Sequence, residues 1–219
     1  MPHLINPMFD VSYADAIHHL KNAHSSLVHQ AQKAVTTSSL PALRWGIEVK
    51  RLLVDLDTAD RPTLIGKQNE RFGEVVNMVA TIERLIPALQ WFSHNVEFQD
   101  LQIRECHPTT SNKESGNDIV LVNSAGAETV RCEVCDVASI RAGSNRKEKK
   151  DIQNLGCENG VPHDGVARFI CTAREFAQAL TSRQRKWAAY AYRYELVELN
   201  DSANTCMLRL IPKPVTVRS

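Results

Sequence analysis

Two apolar runs that each carry a carboxylate constrain this chain most. The first is Asp118-Ile-Val-Leu-Val122, the second Val130-Arg-Cys-Glu133-Val-Cys-Asp136, and Ser-Ala-Gly (124–126) turns the chain between them. Runs of this length, β-branched and bounded by turn residues, read as two neighbouring strands of a hairpin. A carboxylate in the middle of a buried strand is costly unless it is paired or holds a cation. Two of them on adjacent strands can share one hard divalent ion through their oxygens.

The elements around this hairpin set the fold class. From Tyr13 to Val35 apolar residues recur at helical spacing behind Ser12, a suitable cap. Pro41 opens a second helical stretch that reaches about Leu56. A third runs from about Asn69 to His94, where Pro87 is expected to kink it or end its regular part. Past residue 100 the pattern changes to short β-rich runs at 101–106, 118–123, 129–137, 168–172, 192–199 and 205–211. Helical stretches interrupt them at 145–155, closed by Gly156, and from about 172 to 187 or 190. The expectation is an α/β chain with a mixed sheet flanked by helices, and with an N-terminal helical extension. The division is a helical extension over 1–68 and an α/β domain over 69–219.

Composition excludes some classes. The 219 residues are 43% hydrophobic and 23% charged, with a formal net charge of +1, which neither favours nor disfavours an anionic partner. No run reaches the eighteen or more apolar residues of a membrane span. The first residues, Met-Pro-His-Leu-Ile-Asn-Pro, lack the basic start and apolar core of a secretion signal, so a cytoplasmic location is expected. The six cysteines then read as reduced, buried thiols.

The order of elements, with Asp118 opening the second strand of the meander and Glu133 within the third, resembles the PD-(D/E)XK, or restriction-endonuclease-like, nuclease superfamily over roughly residues 70–211. The resemblance implies a metal-dependent nuclease that cleaves phosphodiester bonds in nucleic acid, DNA in preference to RNA, in bacterial defence or a mobile element. It implies Asp118 and Glu133 as catalytic residues and as ligands of Mg²⁺ or Mn²⁺. It also implies a lysine two residues after the second acid, and Cys135 stands there instead. A thiol supplies no fixed positive charge, so Lys147 or Lys150 on the following helix would have to take the role.

Arg146 and Lys149 on that helix, with Arg183, Arg185 and Lys186 beside Trp187 and Tyr190, form cation-rich stretches of the kind that grip phosphates. The alternative for these is a solvated helix face with snorkelling side chains. The alternative for Glu133 is an ion pair with Arg131 or a helix lysine at a sheet edge. Without the lysine, the chain also reads as a degenerate nuclease-fold protein that binds nucleic acid or a protein partner without cutting. A third reading is an interaction protein, the N-terminal helices forming a homodimer or partner surface. Cys132, Cys135, Cys157 and His163 include a zinc-like pair, but an extended strand turns positions 132 and 135 to opposite sides. His18, His19, His24 and His29 read as solvated residues of the first helix, with no glutamate nearby in sequence to complete a ligand set.

Overall fold

The computed structural model describes residues 7–37, 72–108, 116–135, 144–157, 159–186, 192–199 and 205–212. Its elements are β1 (Met8–Val11), α1 (Tyr13–Thr37), α2 (Phe72–His94), β2 (Gln102–Cys106), β3 (Ile119–Val122), β4 (Glu128–Cys135), α3 (Ser144–Asn154), β5 (Ala167–Ala173), α4 (Arg174–Lys186), β6 (Tyr192–Glu198) and β7 (Thr205–Pro212). The strands form one seven-stranded mixed sheet in the order β1-β2-β3-β4-β5-β7-β6. β4 and β5 are parallel, joined by the crossover through α3, and the other neighbours are antiparallel.

Two apolar layers hold helices on the sheet. In the first, Ala16, Leu20 and Leu27 of α1 and Ile82, Leu85, Leu89 and Phe92 of α2 pack on Ile119, Leu121, Val130, Cys132 and Val134. In the second, Ile152 and Leu155 at the end of α3 and Phe176, Ala177 and Leu180 of α4 pack with Cys135, Ile170, Cys206 and Leu208. The period-two alternation of β4 therefore sends Cys132 into one layer and Cys135 into the other. These two thiols cannot clasp one ion.

Local chemistry explains the element ends. Ser12 caps α1: its Oγ accepts the Asp15 amide at 3.1 Å and donates to Asp15 Oδ2 at 2.6 Å. The β3–β4 turn is tied by Asn123, whose Oδ1 accepts the amides of Ala125 and Ala127, each at 3.0 Å. Gly126 sits in that turn at φ +77°, a conformation glycine adopts freely. After α2, Phe98 folds back on Phe92 and Phe169 with ring centroids 5.6 and 5.7 Å apart, edge to face. Arg209 covers this cluster from β7, 5.8 and 5.7 Å from the Phe98 and Phe169 centroids, and grips Glu97 through both terminal nitrogens.

Two expectations change here, and that for Pro87 is narrowed. The N-terminal segment is not helical throughout: Met8–Val11 is an edge strand paired with β2, and α1 shares the core of α2. Four residues behind a proline carry too little alternation to announce a strand. Pro87 lies inside α2, which runs on to His94. His24 of α1 meets Glu83 of α2 at 2.9 Å, a pairing 59 residues apart that no helical spacing reveals. The helix expected over about 43–56 lies outside the described residues. No described helix is long and apolar enough to cross a membrane.

Candidate metal and nucleic-acid site

Buried polar side chains collect at one end of the sheet. β2, β4 and β5 finish there, and β3 and β7 begin there. Glu105 and His107 close β2, Asn117 and Asp118 precede β3, Glu133 is near the end of β4, Thr172 near the end of β5, and Thr205 opens β7. Among the described residues these are all the buried polar side chains except Asp151 and Arg168. The end where parallel strands finish is where open α/β sheets place their ligand sites.

Asp118 continues the β3–β4 ladder after the strand pairing stops. Its amide donates to the Cys132 carbonyl at 3.1 Å, and its Oδ2 accepts the Val134 amide at 2.7 Å. The Asp118 carboxylate is thus bonded to the residue next to Glu133. Glu133 is fully buried, two places beyond Arg131 on the face that carries α3. β4 is an interior strand, and Arg131 is held by Glu128 at 2.8 and 2.6 Å. Arg131 belongs to an Arg104–Glu128–Arg131 cluster, and Glu133 lies on an interior strand rather than at a sheet edge. Burial raises the Glu128 carboxyl, but its bonds to Arg131 and Arg104 outweigh this and leave it below the usual range.

Cys135 occupies the position of the expected lysine, fully buried in the apolar layer under α3 and α4. Thr172 beside it donates its hydroxyl to the Cys135 carbonyl at 2.8 Å. α3 turns Asp151, Ile152 and Leu155 inward and leaves Lys149 and Lys150 exposed. Its Glu148 accepts the Tyr194 hydroxyl at 3.2 Å. Arg146 and Lys147 lie in α3, and Arg183, Arg185 and Lys186 in the last turns of α4; the description of the structure does not extend to these five side chains.

Arg168 anchors the far end of α3. Its guanidinium is almost wholly buried and donates to the Leu155 carbonyl at 2.8 Å, to the Val166 carbonyl at 2.7 Å and to both Asp164 oxygens at 2.9 and 2.7 Å. These bonds hold the Asp164 carboxyl far below its ordinary value. A depressed carboxyl stabilises the fold above its unfolded value, near 4, and loses that contribution as pH falls through the folded value. Asp164→Asn should therefore lower the melting temperature at pH 6 more than at pH 3. An equal loss at both pH values would contradict the pairing.

The thiols offer no nucleophile. Burial pushes Cys157 and Cys206 up to about 11, and Cys106, Cys132 and Cys171 higher still. All six cysteines are fully buried, and none is in a disulfide. Ellman's reagent at pH 8 should label none of them in the native protein and all six after denaturation. Rapid native labelling of even one would contradict the packing.

Sequence reading gives Glu105 only slight weight as a further acid on the first strand and misses His107, Asp151 and Arg168 as buried polar residues. Glu-Cys-His at the end of a strand is the only local sign for Glu105 and His107, because alternation sends both to one side. Among the described residues, no three His, Cys, Asp or Glu side chains stand close enough together to hold a metal ion. Two carboxylates with retained water are nevertheless the donor set that Mg²⁺ ordinarily takes from a protein, and Asp118 and Glu133 fit it in hardness and number. No protein-family model, no curated protein and no solved structure matches the chain.

Proposed function

We propose that the chain is a restriction-endonuclease-like protein that cleaves phosphodiester bonds in nucleic acid with the help of Mg²⁺ or Mn²⁺. One observation carries the reading: Asp118 is bonded to the β4 backbone one residue from Glu133, at the sheet end where the buried polar groups gather. The surrounding topology supports it. A helix, a three-strand antiparallel meander, a crossover helix and a parallel strand follow one another as α2, β2, β3, β4, α3 and β5. The finer assignments, a cytoplasmic protein of bacterial defence or of a mobile element and DNA as the preferred substrate, rest on the resemblance in sequence.

Asp118 and Glu133 would hold the cation, which when bound supplies charge stabilisation at the phosphate and activates water. The chain's own residues do the rest. The Val134 amide fixes the Asp118 carboxylate by committing one oxygen to the β4 backbone. The exposed Lys149 and Lys150 on α3 contact backbone phosphates. The positive charge absent at Cys135 comes from Lys147 or Lys150.

Burial of Cys135 in an apolar layer favours a second reading, a nuclease fold that binds nucleic acid without cutting. Incubation of single- and double-stranded DNA and RNA with Mg²⁺ or Mn²⁺, for wild type and Glu133→Gln, separates the two. Metal-dependent cleavage lost in the variant supports the nuclease. Binding that weakens steeply with salt, without cleavage, supports the second reading, because phosphate neutralisation needs no catalytic lysine. Neither cleavage nor binding would overturn both.

A further inference from the structure

His107 is fully buried, and no group among the described residues reaches its Nδ1. Its Nε2 lies 3.1 Å from Glu105 Oε2, and Glu105 is itself buried. An ionised Glu105 would only accept, so Nε2 would donate to it, and in the neutral tautomer Nδ1 would then be an acceptor. A dry acceptor in a protein interior is costly and calls for an explanation.

The sheet register says where this acceptor lies. Glu105 pairs with Val120, and Val120 pairs with Arg131, so those three side chains share a face. His107 and Glu133 each stand two residues further along the same strands, on that face and toward the same sheet end. Phe9, paired with Glu105 from β1, sets its ring edge-on to the imidazole at 5.7 Å. The His107 amide donates to the Asp118 carbonyl at 2.8 Å, which holds the backbone of His107 against that of Asp118. The imidazole is therefore flanked by Glu105 and Phe9, on a backbone bonded to that of Asp118.

We infer that His107, oriented by Glu105, belongs to the same site, and that its Nδ1 accepts a hydrogen bond from a water in the hydration shell of the divalent cation. The inference rests on the metal-dependent reading of Asp118 and Glu133. Direct ligation by all three side chains is not what the geometry offers, since no three such groups converge among the described residues. A carboxylate-held imidazole one water away is the usual outer partner of a metal site. It would orient that water, a task for which the buried Cys135 has no group.

Nitrogen-15 NMR of the histidine rings in the wild-type protein tests this. The His107 signals are those absent from His107→Gln or, if that variant does not fold, those reached by sequential assignment. The expected result is a neutral, Nε2-protonated ring whose Nδ1 resonance moves upfield with Mg²⁺, at the same midpoint as the Mg²⁺-dependent rise in melting temperature. A ring protonated on Nδ1 would overturn the inference before any metal is added. An Nδ1 signal that ignores Mg²⁺, while the melting temperature still rises through Glu133, would overturn it and leave the metal site standing. No response of either kind would overturn both.

Discussion

Replacing Lys147 and Lys150 together with alanine should lower metal-dependent cleavage at least about a hundred-fold, the usual contribution of a positioned proton-transfer group or charge. The fold should survive. Lys150 is exposed, and α3 docks through Ile152 and Leu155 and through the Arg168 bond to the Leu155 carbonyl, residues that the substitutions leave in place. The comparison to make is single-turnover cleavage against thermal melting. Full activity in the double variant would refute a helix lysine in place of the Cys135 position. A fall in activity matched by a fall in melting temperature would report damage to the helix instead.

The second large effect is on stability. Phe169→Ala should cost about 3–5 kcal/mol, the range for removing a buried phenylalanine whose cavity cannot collapse. Phe169 is fully buried in the middle of β5, between Phe92 at 5.3 Å and Trp91 at 5.8 Å, with Arg209 over its other side. Rings of this size on a sheet cannot move together to refill the space. Urea unfolding reads the difference directly. A cost below about 1 kcal/mol would mean that this cluster does not carry the packing of α2 on the sheet.

Much of the architecture was legible because strands and helices leave different periods. The run Phe72 to Phe92 reads as one helix, and β2 to β7 fall close to the β-rich runs bounded by Gly, Asn and Ser turns. The placement of Glu133 on β4 and of Asp118 just before the adjacent β3 followed from the short turn between two apolar runs. What remained hidden was long-range. β1 joins the sheet by pairing with residues about a hundred positions away, and His24 meets Glu83 across two helices. The face that carries Glu105 and His107 depends on a register shift between Ile103 and Glu105 against β3, which no local pattern encodes. Arg168 looked like an ordinary strand residue, since its partners are a helix-end carbonyl and a loop carboxylate.

The central claim is that Asp118 and Glu133 form one divalent-cation site at the end of the sheet. Binding to the native state alone raises stability by RT ln(1 + [L]/Kd), so a real site must show in thermal melts. The measurement is the melting temperature of wild type and of Glu133→Gln, with and without millimolar Mn²⁺. The account predicts a rise of the wild type with Mn²⁺ that is lost in Glu133→Gln. An equal rise in both proteins, or none in either, would contradict it.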